Sequence, residues 1–133
     1  MRTRRSSTAP PQPPGVKRVP LELRCATKVY GRGAAQVRAL DEVSLGCLAH
    51  SWTAIMGPSG SGKSTLLHCA AGLERLSSGQ VVLAGVDITS SSERELTALR
   101  RGRVGFVFQS FNLMPALTAE QNIALPCRLA GKS

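Results

Sequence analysis

Acidic side chains are in short supply: eight Asp and Glu face seventeen Lys and Arg, a formal net charge of +9. Such an excess suggests nucleic acid until it is located. Arg2, Arg4, Arg5, Lys17 and Arg18 all precede the first acid, Glu22, so more than half of the excess sits in one short segment. Aromatic residues make up only 4% of the chain, and none is interleaved among those basic residues to stack on bases. No apolar run approaches the roughly 18 residues that cross a bilayer, so any membrane role has to come through a partner. The cysteines Cys25, Cys47, Cys69 and Cys127 lack C-x-x-C spacing and a nearby histidine, which argues against zinc. They read as reduced, buried thiols of a cytosolic protein. No N-K-x-D guanine motif and no internal repeat is present.

With 133 residues and 42% hydrophobic side chains, the chain is one domain or part of one. Residues 1–20 are basic and proline-rich, with Ala9-Pro10-Pro11-Gln12-Pro13-Pro14-Gly15 at their centre. That composition cannot bury a core and predicts an extended, solvated tail, with an SH3-type ligand as the alternative. Prolines stand where a secretory signal would need an apolar run. The folded part is expected over 21–133.

The decisive stretch is Gly57-Pro58-Ser59-Gly60-Ser61-Gly62-Lys63-Ser64, preceded by Trp52-Thr53-Ala54-Ile55-Met56 and followed by Thr65-Leu66-Leu67. It satisfies G-x-x-x-x-G-K-[ST] at every specified position, between an apolar run and a helical pattern. A triphosphate needs donors at close range. Glycines let the main chain bend so that N–H groups from Gly60 to Thr65 converge on phosphate oxygens, reinforced by the positive end of a helix starting near Lys63. Lys63 is expected to reach the β- and γ-phosphates and the Ser64 hydroxyl to ligate Mg²⁺. Kinases, GTPases and transport ATPases all use such a loop, so it does not choose among them.

Alternation of Leu21, Leu23 and Cys25 against Glu22 and Arg24 predicts a strand closed by Lys28-Val29-Tyr30-Gly31. Val37 to Leu45 reads as a second strand, imperfect around Asp41 and Glu42, and Trp52 to Met56 as a third, typical of a mainly parallel sheet. A helix follows the loop and stops near Gly72; Ser77-Ser78-Gly79 reads as a turn, and Val81-Val82-Leu83 as a strand that resumes at Gly85 to Ile88 after a bend. Ser92 is a fair N-cap for a helix from Glu93 to about Arg101. Val104 to Gln109 reads as another apolar strand, and Thr118-Ala119-Glu120-Gln121 has capping-box spacing for a helix to about Leu129.

From Leu21 onward this order of motifs resembles the first half of the ATP-binding subunit of an ABC transporter. The resemblance implies an α/β fold: an incomplete P-loop nucleotide-binding fold with an antiparallel β subdomain at the N-terminal side. Tyr30, in Val29-Tyr30-Gly31, matches the aromatic residue that in this family stacks on adenine, and Gln109 looks like the glutamine that contacts Mg²⁺ and the attacking water. The runs Ser110 to Pro115 and Leu117 to Asn122 resemble most the branch of lipoprotein-release, macrolide-export and cell-division transporters.

By resemblance the cofactors are ATP and Mg²⁺. Gly57, Pro58, Ser59, Gly60, Ser61, Gly62, Lys63, Ser64 and Thr65 bind nucleotide with Tyr30; Lys63 and Gln109 serve catalysis; and Ser64 and Gln109 hold the metal. The implied partners are transmembrane permease subunits and a second ATP-binding subunit at the inner face of the plasma membrane, with no nucleic acid.

There are departures from the family pattern. Leu48-Ala49-His50-Ser51 stands where the family turns on a glycine, and His50 reads as an exposed turn residue rather than a ligand. Leu76-Ser77-Ser78-Gly79-Gln80 imitates the family's signature motif but precedes a strand and Gln109, and Asp87 imitates the Walker B aspartate but has Ile88 where the catalytic glutamate belongs and a glycine interrupting its run, so both read as decoys. With no general base, signature helix or switch histidine recognisable, the chain is expected to recognise Mg-ATP and, alone, to turn it over poorly. It then reads as an exporter's ATP-binding component, present as a fragment or split gene product. The alternatives are another P-loop enzyme, such as a small-molecule kinase or GTPase, and a non-catalytic protein that pairs with a complete ATPase.

Overall fold

The computed structural model describes residues 19–131, so the tail expected over 1–20 lies outside the described residues apart from Val19 and Pro20. Four antiparallel strands form one sheet in the order β2-β1-β3-β4: β1 (Leu21–Tyr30), β2 (Val37–Cys47), β3 (Ser78–Leu83) and the short edge strand β4 (Val86–Asp87). A 3-10 turn (Gly33–Ala35) links β1 to β2, α1 (Lys63–Ala70) lies between β2 and β3, and α2 (Glu93–Arg103) and α3 (Ala119–Leu129) follow the sheet.

Central strand β1 does not keep a strict period of two. Leu23 pairs with Leu45 and Ala26 with Val43, so β1 carries one more residue than β2 across this interval. The extra residue is accommodated at Cys25, whose φ of 45° marks a bulge that turns the strand over. Leu23 and Ala26 are consequently buried while Cys25 is exposed, contrary to the simple alternation. β2 answers with its own bulge near Glu42, φ 48°, which is why its apolar pattern falters around Asp41 and Glu42. The displaced amides are not orphaned: Cys25 N–H donates to Ser44 Oγ at 2.9 Å and Glu42 N–H to Thr27 Oγ1 at 3.1 Å.

Two apolar clusters fill the interior. In the first, Leu66, Cys69 and Ala70 of α1 cover Leu23, Ala26 and Leu40 of the sheet. In the second, Val81 and Leu83 pack with Ile88 and with Leu96 of α2, and Leu21 and Leu76 touch both clusters. Arg75 and Arg100 both pair with Glu93, at 3.8 and 3.6 Å, and Arg100 also donates to the Gly72 carbonyl, so the end of α1 is tied to α2.

The capping box expected at Thr118 forms, and the N-cap expected at Ser92 proves to be one as well. Ser92 exchanges hydrogen bonds with Glu95, and Thr118 with Gln121, at the starts of α2 and α3. The hairpin of β3 and β4 takes up the bend expected at Gly85. Leu76 to Gln80 runs into β3 rather than opening a helix, and Ser78 and Gly79, expected in a turn, already lie in that strand.

Three expectations need correction. Trp52 to Met56 and Val104 to Gln109 do not join the sheet. A parallel ladder needs neighbours brought alongside by crossovers, and every pairing among the described residues is antiparallel. Trp52 and Val107 are accordingly 102% and 96% exposed. The cysteines are free but not uniformly buried: Cys69 is buried, Cys47 half-buried, and Cys25 and Cys127 exposed.

Candidate functional site

The loop from Gly57 to Gly62 joins the irregular Trp52–Met56 segment to α1, and its conformation depends on positive φ angles. Gly62 is the N-cap of α1 with φ 83° and ψ 5°, and a Cβ there would lie 2.2 Å from the Ala39 carbonyl oxygen of β2. The residue is therefore glycine for two reasons, the left-handed main chain and the approach to the sheet. The first helical hydrogen bond runs from Leu66 N–H to Gly62 O at 2.8 Å. The N–H groups of Lys63, Ser64 and Thr65 thus precede the helical ladder and form its positive end.

The Lys63 ammonium folds back over the loop. It donates to Gly57 O at 2.9 Å, Pro58 O at 2.6 Å and Ser61 Oγ at 3.3 Å. A cation is thereby held among the same turns whose amides lead into α1. A cleft of about 430 Å³ opens beside it, lined by residues of the loop and by Ala39, Asp41 and Ile55 among others. The Ser64 side chain is exposed and enters none of the hydrogen bonds of the described residues, leaving its oxygen available.

Tyr30 ends β1 and reaches the same helix. Its hydroxyl donates to Glu74 Oε2 at 2.7 Å and lies 3.4 Å from Thr65 Oγ1, so two residues assigned to nucleotide binding from sequence are brought together. Tyr30 is 38% exposed, and Lys28 Nζ sits over its ring, 5.0 Å from the centroid. Lys28 also pairs with Glu74 at 3.2 Å and donates to Arg75 O at 2.7 Å. Burial works to raise the Glu74 carboxyl, but hydrogen bonds from Tyr30 and Lys28 outweigh it and hold the group below its ordinary range. Burial raises the Tyr30 phenol above its ordinary value.

Gln109 lies in a turn after Phe108, exposed and without a hydrogen bond to the loop. Its link to the loop helix is indirect: Phe108 packs on Phe106 at 4.6 Å between ring centroids, and Phe106 on His68 of α1 at 5.6 Å. Exposed His50 has φ 58°, a non-glycine residue in a left-handed turn. Asp87 sits in β4 and accepts from Thr89 N–H at 2.9 Å, away from the loop's own contacts.

Three residues escaped the sequence reading. Lys28 was discoverable, because residues 28 and 30 share a strand face. Glu74 had no local signal, being 44 residues from the hydroxyl it accepts. Asn122 organises the turn before α3 by accepting from Met114 N–H and donating to the Met114, Leu117 and Thr118 carbonyls.

The model of the family described as ABC transporter matches residues 40–132, most of the chain. The chain belongs to the ABC transporter family. An uncharacterised ABC transporter ATP-binding protein of Thermotoga maritima is 43% identical over 111 residues, 84% of this chain and 47% of that protein. The methionine import ATP-binding protein MetN of Aliivibrio fischeri is 42% identical over 113 residues, 85% of this chain and 33% of that protein. The macrolide export ATP-binding/permease protein MacB of Photorhabdus laumondii is 42% identical over 111 residues, 84% of this chain and 17% of the relative. Among solved structures, the dimeric, post-hydrolysis state of the ATP-binding cassette MJ0796, bound to ADP and Pi, superposes with a TM-score of 0.80 at 40% identity. That match covers 83% of this chain and 47% of the cassette.

The chain thus spans about half or less of the length of these relatives. Its fold, an antiparallel sheet with helices, is that of part of an ABC cassette. No helix among the described residues is long and apolar enough to cross a membrane.

Proposed function

We propose that this chain binds Mg-ATP as the nucleotide-binding part of an ABC-type exporter, and that on its own it hydrolyses ATP negligibly. The observation that carries the reading is the Lys63 ammonium, held by Gly57, Pro58 and Ser61 at the open N-terminus of α1. An incoming β- or γ-phosphate offers that cation stronger acceptors than two carbonyls and a hydroxyl, while amides from Gly60 to Thr65 close on the remaining oxygens. Tyr30 gives the adenine ring an exposed aromatic surface.

The donor set suits Mg²⁺, which prefers hard oxygen ligands and keeps several waters and phosphate oxygens of its own. Ser64 offers a free hydroxyl and Gln109 an amide oxygen. Among the described residues no cluster of three acids, histidines or cysteines forms a metal cage, so the ion would arrive with the nucleotide. When bound, it neutralises charge on the phosphates. Phosphoryl transfer is mainly a matter of positioning and charge stabilisation, and these residues supply the part that grips the polyphosphate. None of them is a positioned base for water.

Partners complete the reading. A second ATP-binding subunit would close over the nucleotide, as the dimeric MJ0796 cassette supports, and transmembrane permease subunits would hold the chain at the inner face of the membrane. Export is favoured by the run from Ser110 to Asn122; the comparable likeness to the importer MetN and the exporter MacB supports import as the second reading. A phosphate-release assay on the purified chain, with Lys63→Ala as control, tests the catalytic half of the proposal. Negligible release is expected from both proteins, and robust release that disappears with Lys63→Ala would overturn it.

A further inference from the structure

Glu74 and Lys28 stand outside the phosphate loop, yet both are built onto the aromatic residue beside it. Glu74 Oε2 accepts from the Tyr30 hydroxyl at 2.7 Å, while its other oxygen pairs with Lys28 Nζ at 3.2 Å. Lys28 is fixed in turn by the Arg75 carbonyl at 2.7 Å and lies over the Tyr30 ring. The side chains of Lys28 and Glu74 are only 14% and 29% exposed, so this is no loose surface pair. The same hydroxyl is 3.4 Å from Thr65 Oγ1, on the first turn of the phosphate-binding helix.

We propose that Glu74 is a positioning residue for nucleotide selectivity: with Lys28, it tethers the Tyr30 hydroxyl so that the ring is presented to a nucleobase in fixed register with the phosphate helix. The inference rests on the reading of the site as an ATP site and adds to it the group that sets base recognition. Lys28 occupies space over the ring, so the base is confined to the part of the ring that remains exposed. Without the tether the ring keeps its stacking surface but gains rotamer freedom, which must be lost again whenever a base binds. Phosphate binding does not depend on the ring, because the loop amides and Lys63 supply it. Loss of Glu74 is therefore felt by ligands that carry a base and not by those that lack one.

The test compares binding of Mg-ATP and of magnesium tripolyphosphate to the full chain by titration calorimetry. Glu74→Ala is expected to weaken ATP by about tenfold, the scale of a hydrogen bond to a charged acceptor, and tripolyphosphate by less than about twofold. Tyr30→Phe, which removes only the hydroxyl, should give the same selective loss, and the double variant no more than either alone. Glu74→Gln retains an acceptor for the hydroxyl and should recover most of the ATP affinity.

A residue that merely stabilised the fold would lower both affinities together. Parallel losses for the two ligands, additive losses in the double variant, or no loss in either single variant would each overturn the proposal. Should the unaltered chain bind neither ligand, the ATP-site reading itself fails. Binding of both by the unaltered chain, with an unchanged ratio in the variants, refutes only the role of Glu74.

Discussion

Replacing Gly62 by alanine should damage the molecule far more than the same change at Gly60, two residues earlier in the same loop. Both glycines have left-handed main chains, φ 83° and 79°, and adding a Cβ to such a residue costs about 1–2 kcal/mol. Their surroundings differ. A Cβ at Gly60 meets nothing within 4 Å, whereas at Gly62 it lies 2.2 Å from the Ala39 carbonyl oxygen and 3.5 Å from Leu40 Cδ2. Restoring even a 3.0 Å approach requires β2 and the loop to part by about 0.8 Å. Leu40 is buried against Leu66 in the first cluster, so that movement loosens the packing of α1 on the sheet. Overpacking of this kind adds roughly 1–3 kcal/mol, giving about 2–5 kcal/mol for Gly62→Ala against about 1–2 for Gly60→Ala. Urea titrations followed by circular dichroism would measure both. Equal losses, or a larger loss at Gly60, would refute the claim that contact with β2 makes Gly62 obligatory.

Other perturbations test other parts of the structure. His50→Gly should stabilise the fold by about 0.5–1 kcal/mol, since it removes a side chain from a left-handed turn, and an unchanged or lower urea midpoint would contradict this. Ser92→Ala breaks a capping box and should cost about 1 kcal/mol, read as a lower midpoint with an unchanged slope; no shift would mean that α2 is held by Leu96 and its arginine pairs alone. The Glu74 carboxyl is depressed in the folded state, so its contribution is complete above the unfolded value, about 4.3, and disappears as pH falls through the lower folded value. Stability measured from about pH 6 to 3 should therefore fall less steeply for Glu74→Gln than for the unaltered chain, and parallel curves would contradict the assignment.

Much of this was legible because some signals are local. A helix cap needs only four residues and the G-x-x-x-x-G-K-[ST] pattern eight, so the caps Ser92 and Thr118 and the loop from Gly57 to Ser64 that opens α1 were readable without knowing any distant contact. Phase was not legible. Strict alternation placed Cys25 inside, but the bulge there moves the buried position to Ala26, and its satisfaction by Ser44 depends on a strand 19 residues away. Trp52 to Met56 and Val104 to Gln109 have the composition of buried strands, yet strand pairing is a property of neighbours, and the described residues supply none for them. In the candidate site, Tyr30 and Lys63 were proposed from motif, whereas the contact of Glu74 with Tyr30 became visible only once β1 and the segment after α1 were side by side.

The most direct measurement is titration calorimetry of Mg-ATP into the full chain and into Lys63→Ala. If the loop and its ammonium form the binding site, the unaltered chain shows saturable binding at millimolar nucleotide or below, weakened by tenfold or more in the variant. No saturation by the unaltered chain at millimolar Mg-ATP, or equal affinity in the two proteins, would contradict it.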